Sequence, residues 1–281
     1  MLLPNAIDID LEGSLAHFAE HGYARLGRVA SEDALVALRA RADDVMLGRV
    51  VIPGLFFQLD ADTGRYEDLT YGQGYQGPSL NYRKIEKLER DPLYREWLEN
   101  ALFERVARAL IDTNALVGDE STLASTSDIV IYRALLFAKS AAGGTPLPWH
   151  QDGGKFWGLD RDPTLQIWTA LDDAPEEGGC LEVLPGSHID GLATPLGGVV
   201  PANIVSARDA ESRFVSLPAR AGEVILIHNY TWHRSGLNRT GRARRAFTVC
   251  YMNATTRCLR KKKAPRDFVR VFGGRRQDAI R

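Results

Sequence analysis

From about residue 127 the chain becomes a succession of short runs rich in β-branched and aromatic residues. They are "SDIVIYRALLFAKS", "TLQIWTALDDA", "CLEVLPGSH", "RFVSL", "GEVILIH" and "RRAFTVCYMN", bounded by Gly, Pro, Asp or Asn. No helical pattern separates them. Parallel strands need a long crossover, usually a helix, so such a run implies antiparallel pairing. The first third reads differently. "SLAHFAEHG" and the segment after Ser31-Glu32-Asp33 carry apolar residues at helical spacing, with the short strand "YARLGRV" between them. Asp91-Pro92 opens two more helical segments. Helices followed by strands predict a mainly β chain with flanking α. Its core over about 127–256 is a double-stranded β-helix, jelly-roll or cupin-like, with the helical part (about 8–115) packed outside and a basic tail over 257–281. A chain of 281 residues fits one such domain, 1–281.

Residues 47–82 hold many glycines and aromatics with no sustained period, the signature of a lid or binding loop. The tail carries ten Lys or Arg, from Arg257 to Arg281, against Asp267 and Asp278, and we read it as a solvated surface segment. The formal net charge is only −1, so bulk charge points to no polyanion, and no nucleic-acid partner is expected. Cys180, Cys250 and Cys258 are odd in number and lack CxxC spacing, which reads as free thiols. The opening "MLLPNAIDIDLEGS" lacks a basic segment ahead of an apolar one, and no apolar run approaches the length of a membrane span. The expectation is a cytoplasmic protein.

The chemistry centres on "WHQDGG". On extended backbone, residues i and i+2 share a face, so His150 and Asp152 can reach one point. A distant second imidazole would complete a two-His-one-carboxylate triad, which suits non-haem Fe(II) because it leaves positions open. His17 and His21 lie on an amphipathic helix, and His188 sits in a turn. His228 and His233 remain, and spacing alone does not choose between them.

Three segments, in order, resemble the phytanoyl-CoA dioxygenase family of Fe(II)- and 2-oxoglutarate-dependent oxygenases. They are "WHQDGG", "IWTALDDAPEEGGCLEVLPGSH" and "WHRSGLNRTGRARRAF", and "FAEHGYARLGRVASEDALVALR" is similar to the family's opening. The resemblance implies His150, Asp152 and His233 as catalytic Fe(II) ligands. It implies Arg244, eleven residues after His233, as the partner of the far carboxylate of 2-oxoglutarate, with Arg242 as its rival. A guanidinium offers that carboxylate two parallel donors. Ser235, Trp168, Lys84 and Gln151 are the further cosubstrate candidates.

The implied reaction consumes dioxygen and 2-oxoglutarate, releases succinate and carbon dioxide, and oxidises a substrate C–H bond. Because Asp152 is present where halogenating relatives carry a small residue, the resemblance implies hydroxylation. Desaturation, cyclisation and a non-catalytic binding role are the alternatives. Phe56, Phe57, Tyr71, Tyr75, Phe156 and Trp157 are expected to line a partly apolar substrate pocket, with Lys155 or Arg161 meeting an anionic group.

Overall fold

The computed structural model describes residues 9–111, 128–141, 143–261 and 266–273. The end of the expected helical part (112–115) and Lys262, Lys263, Arg275, Arg276 and Arg281 of the tail lie outside the described residues.

The first helix, α1 (Leu11–His21), starts where the Asp10 carboxylate accepts the Gly13 N–H. Ser31 caps α2 (Glu32–Met46) in the same way, accepting the Ala34 N–H. Asp91 accepts two N–H groups at the start of α3 (Pro92–Leu98), and its other oxygen takes Arg41 at 2.6 Å. A fourth helix, α4 (Ala101–Ile111), follows. Two short helices, α5 (Ala202–Ala207) and α6 (Ala210–Arg213), come later in the chain.

Two antiparallel sheets form the body. The larger has the order β1 (Tyr23–Arg28), β10 (Glu223–His228), β6 (Leu165–Ala170), β12 (Arg244–Asn253), β4 (Ile129–Lys139), β3 (Tyr82–Glu86) and β2 (Phe56–Leu59). The tail strand β13 (Val269–Phe272) also pairs with β4. The smaller has the order β8 (Gly198–Val199), β5 (Leu147–Gln151), β11 (His233–Ser235), β7 (Leu181–Val183) and β9 (Val215–Leu217). This is the expected jelly-roll layout, with helices outside.

Alternation along the strands divides the larger sheet into two faces. Ile131, Ala134, Leu136, Ile167, Phe247 and Val249 share one core with the buried faces of α2, α3 and α4. Trp97 is fully buried there, its indole N–H 3.3 Å from the Thr169 hydroxyl. Burying an aromatic of that size removes ~150–250 Å² from water and is among the larger single contributions to a core.

The other face of the larger sheet turns toward the smaller sheet and lines a cavity of about 1010 Å³. One irregularity shapes this wall. Arg133 pairs with Cys250 and Ile131 with Tyr251, so Tyr132 is an extra residue, a β-bulge. Strict alternation would send Tyr132 and Arg133 to opposite faces. The bulge lets both line the cavity.

Several strands were not expected from the sequence. β2 lies inside the irregular stretch 47–82, and Lys84 lies in β3, where Tyr82 and Ile85 pack into the core. The solvated reading of the tail is also corrected. Val269–Phe272 is a strand, and Phe272 is buried against Tyr251. Among the described residues no helix is long and apolar enough to cross a membrane.

Candidate metal centre and cavity

His150 and His233 are direct partners across β5 and β11, which puts their rings 3.9 Å apart, centre to centre. Asp152 follows two residues after His150, its N–H bonded to the Asn229 carbonyl at 2.8 Å. Candidate ligand atoms of the three side chains lie within 4.8 Å of one another. Each imidazole is oriented by its own strand. Nδ1 of His150 is 2.9 Å from the Pro148 carbonyl, and Nδ1 of His233 is 2.9 Å from the Thr231 carbonyl. A carbonyl only accepts, so each Nδ1 carries the proton and each Nε2 keeps a free lone pair. Nε2 of His233 is 3.8 Å from an oxygen of Asp152.

Two residues the sequence reading overlooked hold that carboxylate. Arg133 reaches Oδ1 at 2.9 Å, and the Gln166 amide donates to Oδ2 at 2.6 Å. Burial alone would raise the pKa of Asp152. Arg133, the two imidazoles and the Gln166 hydrogen bond outweigh it and hold the carboxyl well below its usual range. Burial, then the neighbouring His233, brings His150 down to about 3. A neutral imidazole beside an ionised carboxylate is the protonation state that a divalent metal requires. Two nitrogens and one oxygen facing an open cavity form a donor set that fits Fe(II).

His228 is elsewhere. Its ring packs near Phe18 and His188, and its Nδ1 accepts the Tyr230 N–H at 3.0 Å. The structure thus brings His233, not His228, to His150 and Asp152.

Arg244 begins β12 on the cavity side and is buried. It donates to the backbone carbonyls of Gly179 at 2.6 Å and Gly178 at 3.4 Å, and no carboxylate pairs with it among the described residues. Burial lowers its pKa to about 10, so it is still cationic at neutral pH. Arg242 lies before the strand and is exposed, and Arg245 points away to Asp172 and Asp43. Ser235 and Trp168 line the same cavity. Lys84 lines it too, paired with Glu86 at 2.7 Å. Lys139, the register partner of Arg244, is a further cavity-lining amine that sequence reasoning missed. Burial, then Arg244 and Arg83, brings it down to about 6.

Gln151 lies along the cavity wall as well. Its amide donates to the carbonyls of Gly191 and Tyr230 and accepts the Ala193 N–H, which pins the loop beside β5. Gly154 serves the same packing. It sits at φ +78°, and a Cβ there would meet the Leu196 carbonyl at 2.6 Å.

Of the expected pocket aromatics, Phe56, Tyr71, Phe156 and Trp157 line the cavity. Phe57 and Tyr75 do not. They pack against each other and against Tyr82 with tilted or edge-on rings. Lys155 and Arg161 are also absent from the wall, and Arg260 and Arg266 of the tail stand there instead.

The sequence matches the phytanoyl-CoA dioxygenase family over residues 18–246. A bovine relative, "phytanoyl-CoA dioxygenase domain-containing protein 1" from Bos taurus, is 33% identical over 133 residues, and the match spans about half of each protein, 45% of either chain. Among solved structures, EctD from S. alaskensis with 2-oxoglutarate and 5-hydroxyectoine is 21% identical with a TM-score of 0.68, over 97% of this chain and 86% of that one. The non-haem α-ketoglutarate-dependent carbocyclase SnoK from nogalamycin biosynthesis is 20% identical with a TM-score of 0.66, over 97% and 98%. These likenesses are of fold. The family match spans β1 to β11, with His150, Asp152 and His233, and on it the chain belongs to the phytanoyl-CoA dioxygenase family.

Proposed function

We propose that the chain is an Fe(II)- and 2-oxoglutarate-dependent dioxygenase that hydroxylates a C–H bond of a small-molecule metabolite or natural-product intermediate, with release of succinate and carbon dioxide. The observation that carries this reading is the convergence of His150, Asp152 and His233 in one cavity with a buried, carboxylate-free Arg244. His150, Asp152 and His233 would hold the iron, which with 2-oxoglutarate and dioxygen supplies the oxidising power that breaks the substrate C–H bond.

The chain's own residues divide the remaining work. Arg244 offers its unused N–H groups, and Ser235 its hydroxyl, to the far carboxylate of 2-oxoglutarate. Trp168 walls that site, and Lys84 stands at its rim as a second cation. Gln166 and Arg133 hold Asp152 in one orientation, which would fix the carboxylate that the metal receives. Aromatics over the mouth orient the substrate and exclude water. Asp152 occupies a metal position that a halide would otherwise need, which favours oxygen transfer.

The test is to supply Fe(II) and 2-oxoglutarate in air and measure succinate. Turnover is expected, and Arg244→Leu should raise the KM for 2-oxoglutarate about ten- to a hundred-fold, the worth of one or two hydrogen bonds to a charged group. Absence of succinate together with absence of 2-oxoglutarate binding would overturn the proposal.

A further inference from the structure

Described residues of the tail reach the cavity wall on both sides of 262–265 and are tied down there. Arg257 pairs with Asp160 through backbone and side chain, and the Leu259 N–H bonds to the Gly158 carbonyl at 2.8 Å. After the undescribed residues 262–265 the chain returns at Arg266, which donates to the Tyr132 carbonyl, and then pairs with β4 as β13. These anchors deliver two guanidinium groups to the cavity wall, Arg260 and Arg266.

Neither guanidinium has a carboxylate within ion-pairing distance among the described residues. Arg260 donates to the Phe156 carbonyl at 2.7 Å and Arg266 to that of Tyr132, so each keeps most of its five N–H donors. Of the carboxylates nearby, Asp152 takes Arg133 and Glu86 takes Lys84, while Glu89 is buried, with its pKa raised by that burial and one oxygen without a hydrogen-bond partner. Both tail arginines converge on the bulged residue. Burial raises the pKa of Tyr132, while Arg133, Arg266 and Arg260, in that order, pull the other way. Beside these charges the wall is aromatic. Tyr132 stacks on Trp157 at 4.3 Å, and Phe156 is exposed at the rim. Gly158 makes this arrangement possible. It sits at φ +66°, and a Cβ there would lie 2.7 Å from the Arg260 side chain.

We propose that Arg260 and Arg266 form an anion subsite at the cavity mouth and determine specificity for a substrate that joins an apolar body to a carboxylate or phosphate. The apolar body lies along Trp157 and Phe156 toward the His-Asp-His cluster, and the anion stays at the rim. This deepens the dioxygenase reading and rests on it for the word substrate. The charge preference itself is a binding property and is measured without turnover.

The experiment is isothermal titration of the whole protein, at saturating 2-oxoglutarate, with 4-phenylbutyrate, 4-phenylbutyl phosphate and neutral 4-phenylbutanamide. At least one anion should bind ten-fold or more tightly than the amide, and its affinity should fall with added salt, because the rim is open to solvent. The double variant Arg260→Gln/Arg266→Gln should lose that preference, and Arg260→Lys/Arg266→Lys should restore most of it, which separates a charge effect from misfolding. Equal binding of amide and anions, no anion binding at millimolar concentration, or an undiminished preference in the glutamine variant overturns the proposal. Failure of 2-oxoglutarate to bind the native protein, with the anion preference intact, would count against the dioxygenase reading alone.

Discussion

Asp152 shows at the scale of one residue how a weak motif becomes a site. Its carboxylate oxygens are taken by Arg133 and Gln166, and its spacing from His150 puts both on one face of an extended strand. That face was legible because period-2 geometry fixes it. The choice between His228 and His233 was not, until the family pattern or the coordinates supplied it. Arg133 and Gln166 were legible only as anomalies. A charge inside "IVIYRALLFAK" and an amide inside "LQIWTA" each need a partner, but a sequence does not say which one. Gln166→Leu should therefore weaken metal binding about 10- to 100-fold while leaving the three candidate ligands in place. Anaerobic Fe(II) titration measures this, and an unchanged affinity would remove Gln166 from the site. In the same titration His233→Ala should abolish binding and His228→Ala should retain it. The reverse result would move the distal ligand.

At the scale of the element, the helices and the strands of the core follow from capping residues and apolar period. β3 and β13 do not. Tyr82–Glu86 and Val269–Phe272 are short, are interrupted by charged residues, and become strands because β4 offers each an edge. The bulge at Tyr132 was equally hidden, since one unpaired residue leaves no mark on composition. The segment after β5 turns on its glycines, and this gives a prediction. Gly158→Ala would force a left-handed conformation on a residue with a Cβ, at a cost of roughly 1–2 kcal/mol, and would push the Arg260 side chain from its position. We expect a lower unfolding midpoint in urea and a weaker preference for anionic over neutral ligands, with Fe(II) affinity unchanged. A variant as stable and as anion-selective as the native chain would show that the Gly158–Arg260 contact positions nothing.

The molecule as a whole is legible in its layering, because helices followed by uninterrupted strands leave few other ways to cover two sheet faces. The placement of Arg260 and Arg266 of the basic tail on the cavity wall was not legible, since charge density alone looks the same on a free surface and on a cavity rim. The seam between α1 and the body carries a further whole-molecule property, a stability that depends on pH. His228 lies there beside His188 and Phe18, and burial, then His188, lowers its pKa from 6.5 to about 4. Above pH 6.5 it is neutral in the folded and the unfolded chain and contributes no pH dependence. Between pH 6.5 and 4 the unfolded chain takes up a proton that the folded one refuses, so stability falls as pH falls, and the loss levels off below about 4. At pH 5 the expected loss from this residue is roughly 2 kcal/mol. Carboxylates held low in the fold, Asp152 and Glu86 among them, also lose stability on acidification, but below their ordinary range near pH 4. Urea unfolding at pH 7.5 and pH 5 should therefore give a smaller acid penalty for His228→Gln than for the native protein, by about that amount. Glutamine keeps an acceptor for the Tyr230 N–H and cannot titrate, so equal penalties in the two proteins would mean that His228 is protonated in the fold.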